Sequence, residues 1–469
     1  MVVLTASVFN MPTICSTITK MLQFLKVCIT AVIAAILLLI TTIACGQGFK
    51  LMRFDEKYDS SSKGIKYIPL GRDNSYLSFG GEARVEYVDF HNEDWGQQGI
   101  GHNSFWLQRY DVHADLHLTA YVRLFSQLRS GWEGGRKNGP RPIDEDKLNV
   151  QNLFVDVMPL KGFTIRIGRQ ELDYGSGRLI SVREGPNLRQ YFTGGKIMYA
   201  DARLSLDAFV MATDVVNTGV FDNTLSRQLS FWGVYGKYII PHAGNVDAYY
   251  LGIRRDSARF EEGIGRETRH TIGGRFWKYG GGFIYNLEAA YQFGTFGTGE
   301  IRAWTASADL GYMFESVKGH PTINLRHDYI SGDHKQGDGA LQTFNPLFPK
   351  GGYFGFSPQI GPVNLIDLHP YSNMALGEHF TVQADAVFNW RYSLQDGIYR
   401  PSGSYKMAGL PSTKRYIGTA WLASVVYTLN KNFSVNTGIQ YFKTGTLVED
   451  LIPDHKDGIF INTRVAFKF

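Results

Sequence analysis

Arginine recurs along this 469-residue chain on the polar side of segments in which apolar and polar side chains alternate. Its planar guanidinium offers two parallel hydrogen bonds to a carboxylate, so arginines that face a passage could hold an anionic solute. Each contact must be weak enough for the solute to leave. The arginines that we expect along such a path are Arg84, Arg109, Arg129, Arg166, Arg169, Arg326, Arg391 and Arg464.

The same polar rows carry acids, such as Glu82, Asp111 and Asp328, that could pair with these arginines. Arginine at the middle of a bilayer costs about 2–4 kcal/mol, so inward charge is expected in any membrane barrel. A ladder of ion pairs that braces the wall is therefore the alternative to an anion path. Arg169 has the parity of an outward residue. Either Gly168 forms a bulge that turns it inward, or Arg169 lies beyond the lipid.

Other residues that often perform chemistry are poorly placed for it. His113 and His117 share one face of a strand but lie about 13 Å apart, so one metal ion cannot bind both. Asp333 and Asp338 lie in a glycine-rich loop that could hold Ca²⁺, with a solvated turn as the alternative. The sequence has no phosphate-binding glycine loop that ends in Gly-Lys-Ser or Gly-Lys-Thr. We expect no cofactor, no metal and no enzyme activity, and keep a serine-histidine lipase site as an alternative.

The segments that must position these residues run for about ten residues and then reach Gly, Asn, Asp or Pro. In the last segment, Ile459 and Val465 lie on one face, and Asn462 and Arg464 lie on the other. This period of two is typical of membrane-spanning β-strands, which present one face to lipid and the other to a lumen. We count about 18 such segments over residues 77–469.

Long and short connections alternate between the segments, as expected when long loops lie outside the cell and short turns in the periplasm. The first connection, residues 92–103, is long, and the second, residues 119–120, is short. The exception is the short connection 297–300, which should lie outside. An even strand number places both termini in the periplasm. The pattern predicts an all-β, antiparallel up-and-down transmembrane barrel of about 18 strands, wide enough for an aqueous channel.

The N-terminus differs in composition from the rest of the chain. Residues 27–45 are nearly all apolar, with Lys20 and Lys26 just upstream. Ala44-Cys45-Gly46 then supplies the small residues at which a signal peptidase cuts. We predict a signal peptide over residues 1–46.

A lead-in segment over residues 47–76 and the barrel over residues 77–469 complete the predicted mature chain. A retained anchor and a lipoprotein attached at Cys45 are alternatives to cleavage, and Met21 could be the true start. The mature chain would contain no cysteine, so strand pairing and packing must hold it together. Cleavage would lower the formal charge from +5 to +3, which is too weak a balance to indicate nucleic acid.

Several short motifs are spread over the whole mature chain. They are Phe49-Lys50-Leu51-Met52-Arg53-Phe54-Asp55-Glu56, Lys66-Tyr67-Ile68-Pro69-Leu70, Tyr76-Leu77-Ser78-Phe79-Gly80-Gly81-Glu82, Ile167-Gly168-Arg169-Gln170, Ser331-Gly332-Asp333, Thr343-Phe344-Asn345-Pro346-Leu347-Phe348-Pro349 and Tyr353-Phe354-Gly355. Together they resemble the alginate-export porin family, and the Phe-Asn-Pro-Leu-Phe-Pro loop is the most specific of them.

The resemblance implies an 18-stranded monomeric barrel in the bacterial outer membrane. It also implies a passive, arginine-lined constriction that loops narrow and that suits an anionic polysaccharide. We expect Phe344, Asn345 and Pro346 to lie at this loop constriction. No residue identifies alginate rather than another anion.

The expected function is therefore an outer-membrane porin for passive, anion-selective passage of an acidic, alginate-like polysaccharide or its oligomers. Its expected partners are outer-membrane lipid and this solute or a smaller anion. Periplasmic export or uptake proteins could also bind, and no nucleic acid is expected. One alternative is a general diffusion porin without selectivity. Another is a plugged barrel that displays its long loops as a surface receptor or adhesin. The direction of transport stays open.

Overall fold

The structure is a computed structural model that describes residues 48–62, 64–71, 75–97 and 99–469. The predicted signal peptide lies outside the described residues. Among those that are described, no helix is long and apolar enough to cross a membrane. The helix Thr446–Leu451 (α1) has only six residues and lies in a connection between strands.

Eighteen antiparallel strands form the wall, and each pairs with the next along the chain. The first strand also pairs with the last, with Glu82 opposite Lys468, so the sheet closes and leaves no free edge. In chain order the strands are β1 (Tyr76–His91), β2 (His102–His117), β3 (Val122–Gly134), β4 (Asp146–Leu160), β5 (Phe163–Gln170), β6 (Phe192–Ala200), β7 (Leu204–Val215), β8 (Thr224–Ile240), β9 (Gly244–Phe260), β10 (Gly263–Lys278), β11 (Phe283–Phe296), β12 (Gly299–Met313), β13 (Thr322–Ile330), β14 (Leu365–Leu376), β15 (Phe380–Arg391), β16 (Tyr416–Thr428), β17 (Phe433–Thr444) and β18 (Gly458–Lys468).

The predicted alternation of faces is confirmed in β2. Arg109, Asp111 and His113 point inward and are buried, whereas Tyr110 and Val112 are exposed on the outer face. Apolar side chains thus face the lipid, and the charges lie where they can pair inside the barrel.

The connections also follow the predicted alternation. Residues 201–203 and 429–432 are short turns at the predicted periplasmic end, whereas residues 171–191 and 331–364 are long loops at the opposite end. The predicted short outer connection between β11 and β12 is present as residues 297–298. A second short outer turn, residues 261–262 between β9 and β10, was not predicted.

Three of the described segments that fold into the lumen matter most for its shape. They are the N-terminal segment (residues 48–71), loop A (171–191) and loop B (331–364). Phe54 of the N-terminal segment is buried against inward phenylalanines of β3 and β4. Phe348 of loop B is buried against β6 and β8, and its backbone bonds to loop A. The apolar core therefore lies inside the barrel, where these segments meet the wall.

Candidate functional site

Two cavities in the described part of the lumen share residues of loop B. The larger cavity, in the periplasmic half, has a volume of about 740 Å³. The smaller cavity, towards the outer loops, has a volume of about 300 Å³. Gly352, Gly355 and Phe356 line both of them. This short segment of loop B therefore lies between the two cavities.

Two lysines supply unpaired positive charge to the larger cavity. Neither Lys237 nor Lys350 forms an ion pair or a side-chain hydrogen bond with the described residues. The crowded lumen lowers the pKa of Lys350, and repulsion from Arg326 adds to this effect. The other two bases on the wall are paired: Arg326 lies 2.8 Å from Asp309, and Arg275 pairs with another aspartate of the wall.

Acids outnumber bases around the same cavity. Six aspartates line it, against two lysines and two arginines, so the wall does not present a uniformly positive surface. Several of these acids are held by tyrosine hydroxyls: Tyr174 donates to Asp207 and Tyr235 donates to Asp247, both at 2.7 Å. The aspartates are Asp55, Asp173, Asp207, Asp247, Asp309 and Asp385.

Aromatic side chains provide much of the remaining lining. The rings of Tyr174 and Tyr235 stack with centroids 4.8 Å apart and an interplanar angle of 20°. Tyr279, Tyr353 and Tyr371 also reach the cavity. Such a wall combines flat apolar faces with hydroxyl groups, which suits a solute that has both apolar and polar faces.

Seven of the eight predicted arginines form an ion pair, so most of them brace the wall. Arg129, for example, donates two hydrogen bonds to Asp111 at 2.6 and 2.8 Å. Arg391 instead donates to backbone carbonyls of the loop between β15 and β16. Only Arg326 and Arg464 of the eight line either cavity, and Arg464 pairs with Glu86 at 2.7 Å.

Arg166, expected on the anion path, is enclosed. It donates two hydrogen bonds to Asp156 at 2.7 and 2.9 Å. Its guanidinium lies 3.7 Å from the ring centroid of Phe154 and 4.5 Å from that of Phe54. Because Phe54 belongs to the N-terminal segment, this segment covers Arg166 and leaves it 4% exposed.

The two readings of Arg169 are resolved by the register of β5. Ile167, Gly168 and Arg169 pair with consecutive residues of β4, so no bulge lies at Gly168. Arg169 is the penultimate residue of β5 at its outer end, where it pairs with Asp214. It therefore lies at the outer end of β5, and no bulge turns it inward.

Arg84 and Arg109 tie loop A to the wall. Arg109 pairs with Glu82 at 2.8 Å and also with Glu184 of loop A. Arg84 donates to the backbone oxygen of Glu184 at 3.0 Å. Burial raises the pKa of Glu184, but Arg109 and Arg189 outweigh this effect and hold the pKa well below its usual range. These arginines position the loop rather than line a cavity.

The predicted constriction residues are packed against the wall. Phe344 is 2% exposed, and Asn345 donates to Glu267 of β10 at 3.1 Å. Neither of these residues nor Pro346 lines the two cavities. Apolar burial fixes this part of loop B, and the glycine-rich segment after it lines both cavities.

Sequence reasoning missed Lys237 and Lys350. Lys237 follows the inward residue Tyr235 by two positions in β8, so parity would have identified it. Lys350 lies in loop B, which has no alternation of inward and outward side chains, so only the fold shows that Lys350 reaches the cavity.

Comparison with known proteins supports the same architecture. A BenF-like porin from Pseudomonas fluorescens Pf-5 superposes with a TM-score of 0.59 at 13% identity, covering 84% of this chain and 98% of that one. OccK2 (OpdF) of Pseudomonas aeruginosa, solved in complex with glucuronate, gives 0.56 at 13% identity with the same coverages. OccAB1 of Acinetobacter baumannii gives 0.56 at 15% identity, covering 84% and 97%. At these identities the likeness concerns the fold.

A search of curated proteins gives no match. The alginate export family, in contrast, matches residues 75–461, which include nearly the whole barrel. The closed 18-stranded wall agrees with that match and with the porins that share the fold. The chain therefore belongs to the alginate export family and is a porin-like β-barrel of the bacterial outer membrane.

Proposed function

We propose that this porin is a solute-specific channel that gives passive passage to an acidic saccharide, as short oligomers of an alginate-like polysaccharide. The observation that carries the proposal is the divided lumen, in which two cavities meet at Gly352, Gly355 and Phe356. A passage that loops narrow in this way brings the solute into contact with its walls. Family membership and the glucuronate complex of OccK2 support an acidic sugar as the solute.

Positive charge for attracting the solute comes from Lys237 and Lys350 in this proposal, in place of the predicted arginines. An unpaired charge in a narrow passage with low-dielectric walls exerts a focused field. Each lysine ammonium attracts a carboxylate as a point charge and does not form the two parallel hydrogen bonds that arginine forms. This weaker contact favours rapid release of the solute. The tyrosine faces next to them would pack against the C–H faces of sugar rings.

Reversal potential across a planar bilayer in asymmetric salt tests the proposal. We expect the wild-type pore to prefer anions and to be blocked by oligouronates from the periplasmic side. The double variant Lys237→Gln/Lys350→Gln should lose much of both properties, because the field of two unpaired charges disappears. Lys318→Gln, in an exposed periplasmic turn, is the matched control and should behave like wild type. A wild-type pore that prefers cations would contradict the proposal.

A general diffusion porin without selectivity is the second candidate. It is favoured by the pairing of seven predicted arginines and by the six aspartates around the larger cavity. In the same experiment this candidate predicts a reversal potential near zero and no block by oligouronates. A folded barrel without conductance would instead indicate a plugged receptor or adhesin.

A further inference from the structure

Three side chains with metal-binding atoms converge at the outer ends of β1 and β2. Asp89 and His91 lie two residues apart on the outward face of β1, and His102 lies directly opposite His91 on β2. We call these three residues the rim cluster. The ring pair Tyr87 and Trp106, 4.8 Å apart on the same face, lies one step closer to the membrane, as residues of an interfacial aromatic belt do. The rim cluster therefore lies just beyond the lipid.

The geometry of the rim cluster is compact. One ligand atom from each residue lies within 4.8 Å of the other two. The Nε2 atom of His91 is 3.1 Å from one carboxylate oxygen of Asp89, and the Nε2 atom of His102 is 2.9 Å from the other. The two imidazole rings face each other, with centroids 4.5 Å apart and an interplanar angle of 26°. Both histidines thus direct the same nitrogen at one carboxylate.

We propose that the rim cluster binds one transition-metal dication, for which Zn²⁺ is the best match. Two imidazole nitrogens and one carboxylate oxygen are ligands that Zn²⁺ prefers, whereas Ca²⁺ and Mg²⁺ prefer oxygen alone. Zinc bonds of about 2.0–2.1 Å at tetrahedral angles hold the ligand atoms roughly 3.3 Å apart. Each Nε2 atom lies close to that separation from one oxygen of Asp89, at 3.1 Å from Oδ1 for His91 and 2.9 Å from Oδ2 for His102. The fourth position is open to water or to an anionic group at the membrane surface.

The wall already holds the ligands in place, because all three side chains project from paired strands. A bound ion would join the outer ends of β1 and β2 and fix both ends of the connection between them. That connection contains Trp95, whose side chain is wholly buried. The Lys406 ammonium lies over the Trp95 ring, 3.6 Å from its centroid. The ion would therefore stabilise a loop that covers the outer side of the lumen.

Calorimetric titration of the tag-free, folded protein with Zn²⁺ tests the proposal. We expect one Zn²⁺ per chain and, with Co²⁺ as the probe, visible absorption bands typical of a histidine and carboxylate site. Asp89→Asn and His102→Ala should each weaken Zn²⁺ binding by about tenfold or more, since loss of a supporting residue alone costs that much. His334→Ala, which removes an exposed outer-loop histidine outside the rim cluster, is the matched control and should bind like wild type.

Heat-modifiable migration in gels shows whether each variant is folded before it is titrated. Asp89→Asn preserves the size of the side chain, so it keeps the test decisive if a histidine variant fails to assemble. The proposal is overturned if folded wild-type protein does not bind Zn²⁺ stoichiometrically. It is equally overturned if folded Asp89→Asn or His102→Ala binds Zn²⁺ as tightly as His334→Ala does.

Discussion

A buried arginine that is paired with an acid contributes little field to a distant solute, because the two charges largely cancel. Arg166 with Asp156 and Arg129 with Asp111 are pairs of this kind. Lys237, which has no such partner, keeps its field. The alternation in the sequence predicted that these charges face inward. It did not predict which of them are cancelled, because pairing depends on register and on loops that return from distant parts of the chain.

The buried carboxyl group of Asp333 should make the stability of the protein depend on pH. Burial, together with repulsion from Asp396 and Glu262, raises the pKa of Asp333 to about 7. The folded protein therefore binds this proton more tightly than the unfolded chain, whose pKa is 3.8, so stability falls as pH rises between these values. Asp333→Asn should remove this loss and stabilise the protein by about 1–4 kcal/mol at pH 8, with little effect near pH 4.

Thermal unfolding followed by heat-modifiable migration at pH 4 and pH 8 checks this expectation. Asp338→Asn is the control, because Asp338 is exposed in the same loop. Equal melting temperatures for Asp333→Asn and wild type at pH 8 would show that Asp333 does not destabilise the outer loops.

At the scale of elements, strands and loops differ in how far sequence predicts them. Lipid imposes a period of two on every strand, and β2 and β18 could be recognised from that period alone. Loop B has no period. Its direction is set by contacts between distant residues, such as Asn345 with Glu267, which are 78 positions apart. The presence of long loops was therefore predictable, whereas the residues that face the passage were not.

The segment of loop B where the cavities meet should control conductance. Phe356→Ala shortens a side chain that lines both cavities, so single-channel conductance should rise. Gly352→Leu should lower it, because a Cβ atom at Gly352 meets no atom within 4 Å and its φ of −76° suits any residue. Planar-bilayer recordings that compare the single-channel conductance of both variants with that of wild type test these expectations.

Phe344→Ala provides the contrast for this pair. Its side chain is packed against the wall, so its loss should destabilise the barrel by about 3–5 kcal/mol without raising conductance. If Phe356→Ala and Gly352→Leu changed conductance in the same direction, the passage would not run past this segment.

At the scale of the whole molecule, the N-terminal segment is bonded to β3 and to the residue that follows β18. Arg53 donates to the backbone oxygen of Phe469 at 2.9 Å, and Arg123 donates to that of Phe54 at 2.7 Å. The segment thus occupies lumen that the strands alone would leave open. The sequence predicted it as a lead-in between the leader and the first strand, but nothing in its sequence showed that it turns back inside.

Deletion of residues 48–66, with the leader joined to residue 67, should enlarge the pore and uncover Arg166. Single-channel conductance should increase, and bilayer recordings beside wild type measure the change. Phe54→Ala is a milder variant that removes only the ring over Arg166. Unchanged conductance in a folded deletion variant would show that solute does not pass this segment.

The pairing of β1 with β18 also governs the order in which the barrel can form. Every other wall contact joins neighbours in the chain and can arise as a local hairpin, whereas Glu86 meets Arg464 across 378 positions. Bringing the two ends of so long a chain together loses conformational entropy before the hydrogen bonds between β1 and β18 can form. Contacts between residues that are far apart in the sequence therefore slow folding. The seam should therefore close last, so the growing sheet carries two open edges until β18 arrives. Until then, the unpaired edges could pair with strands of other chains and cause aggregation unless they are covered.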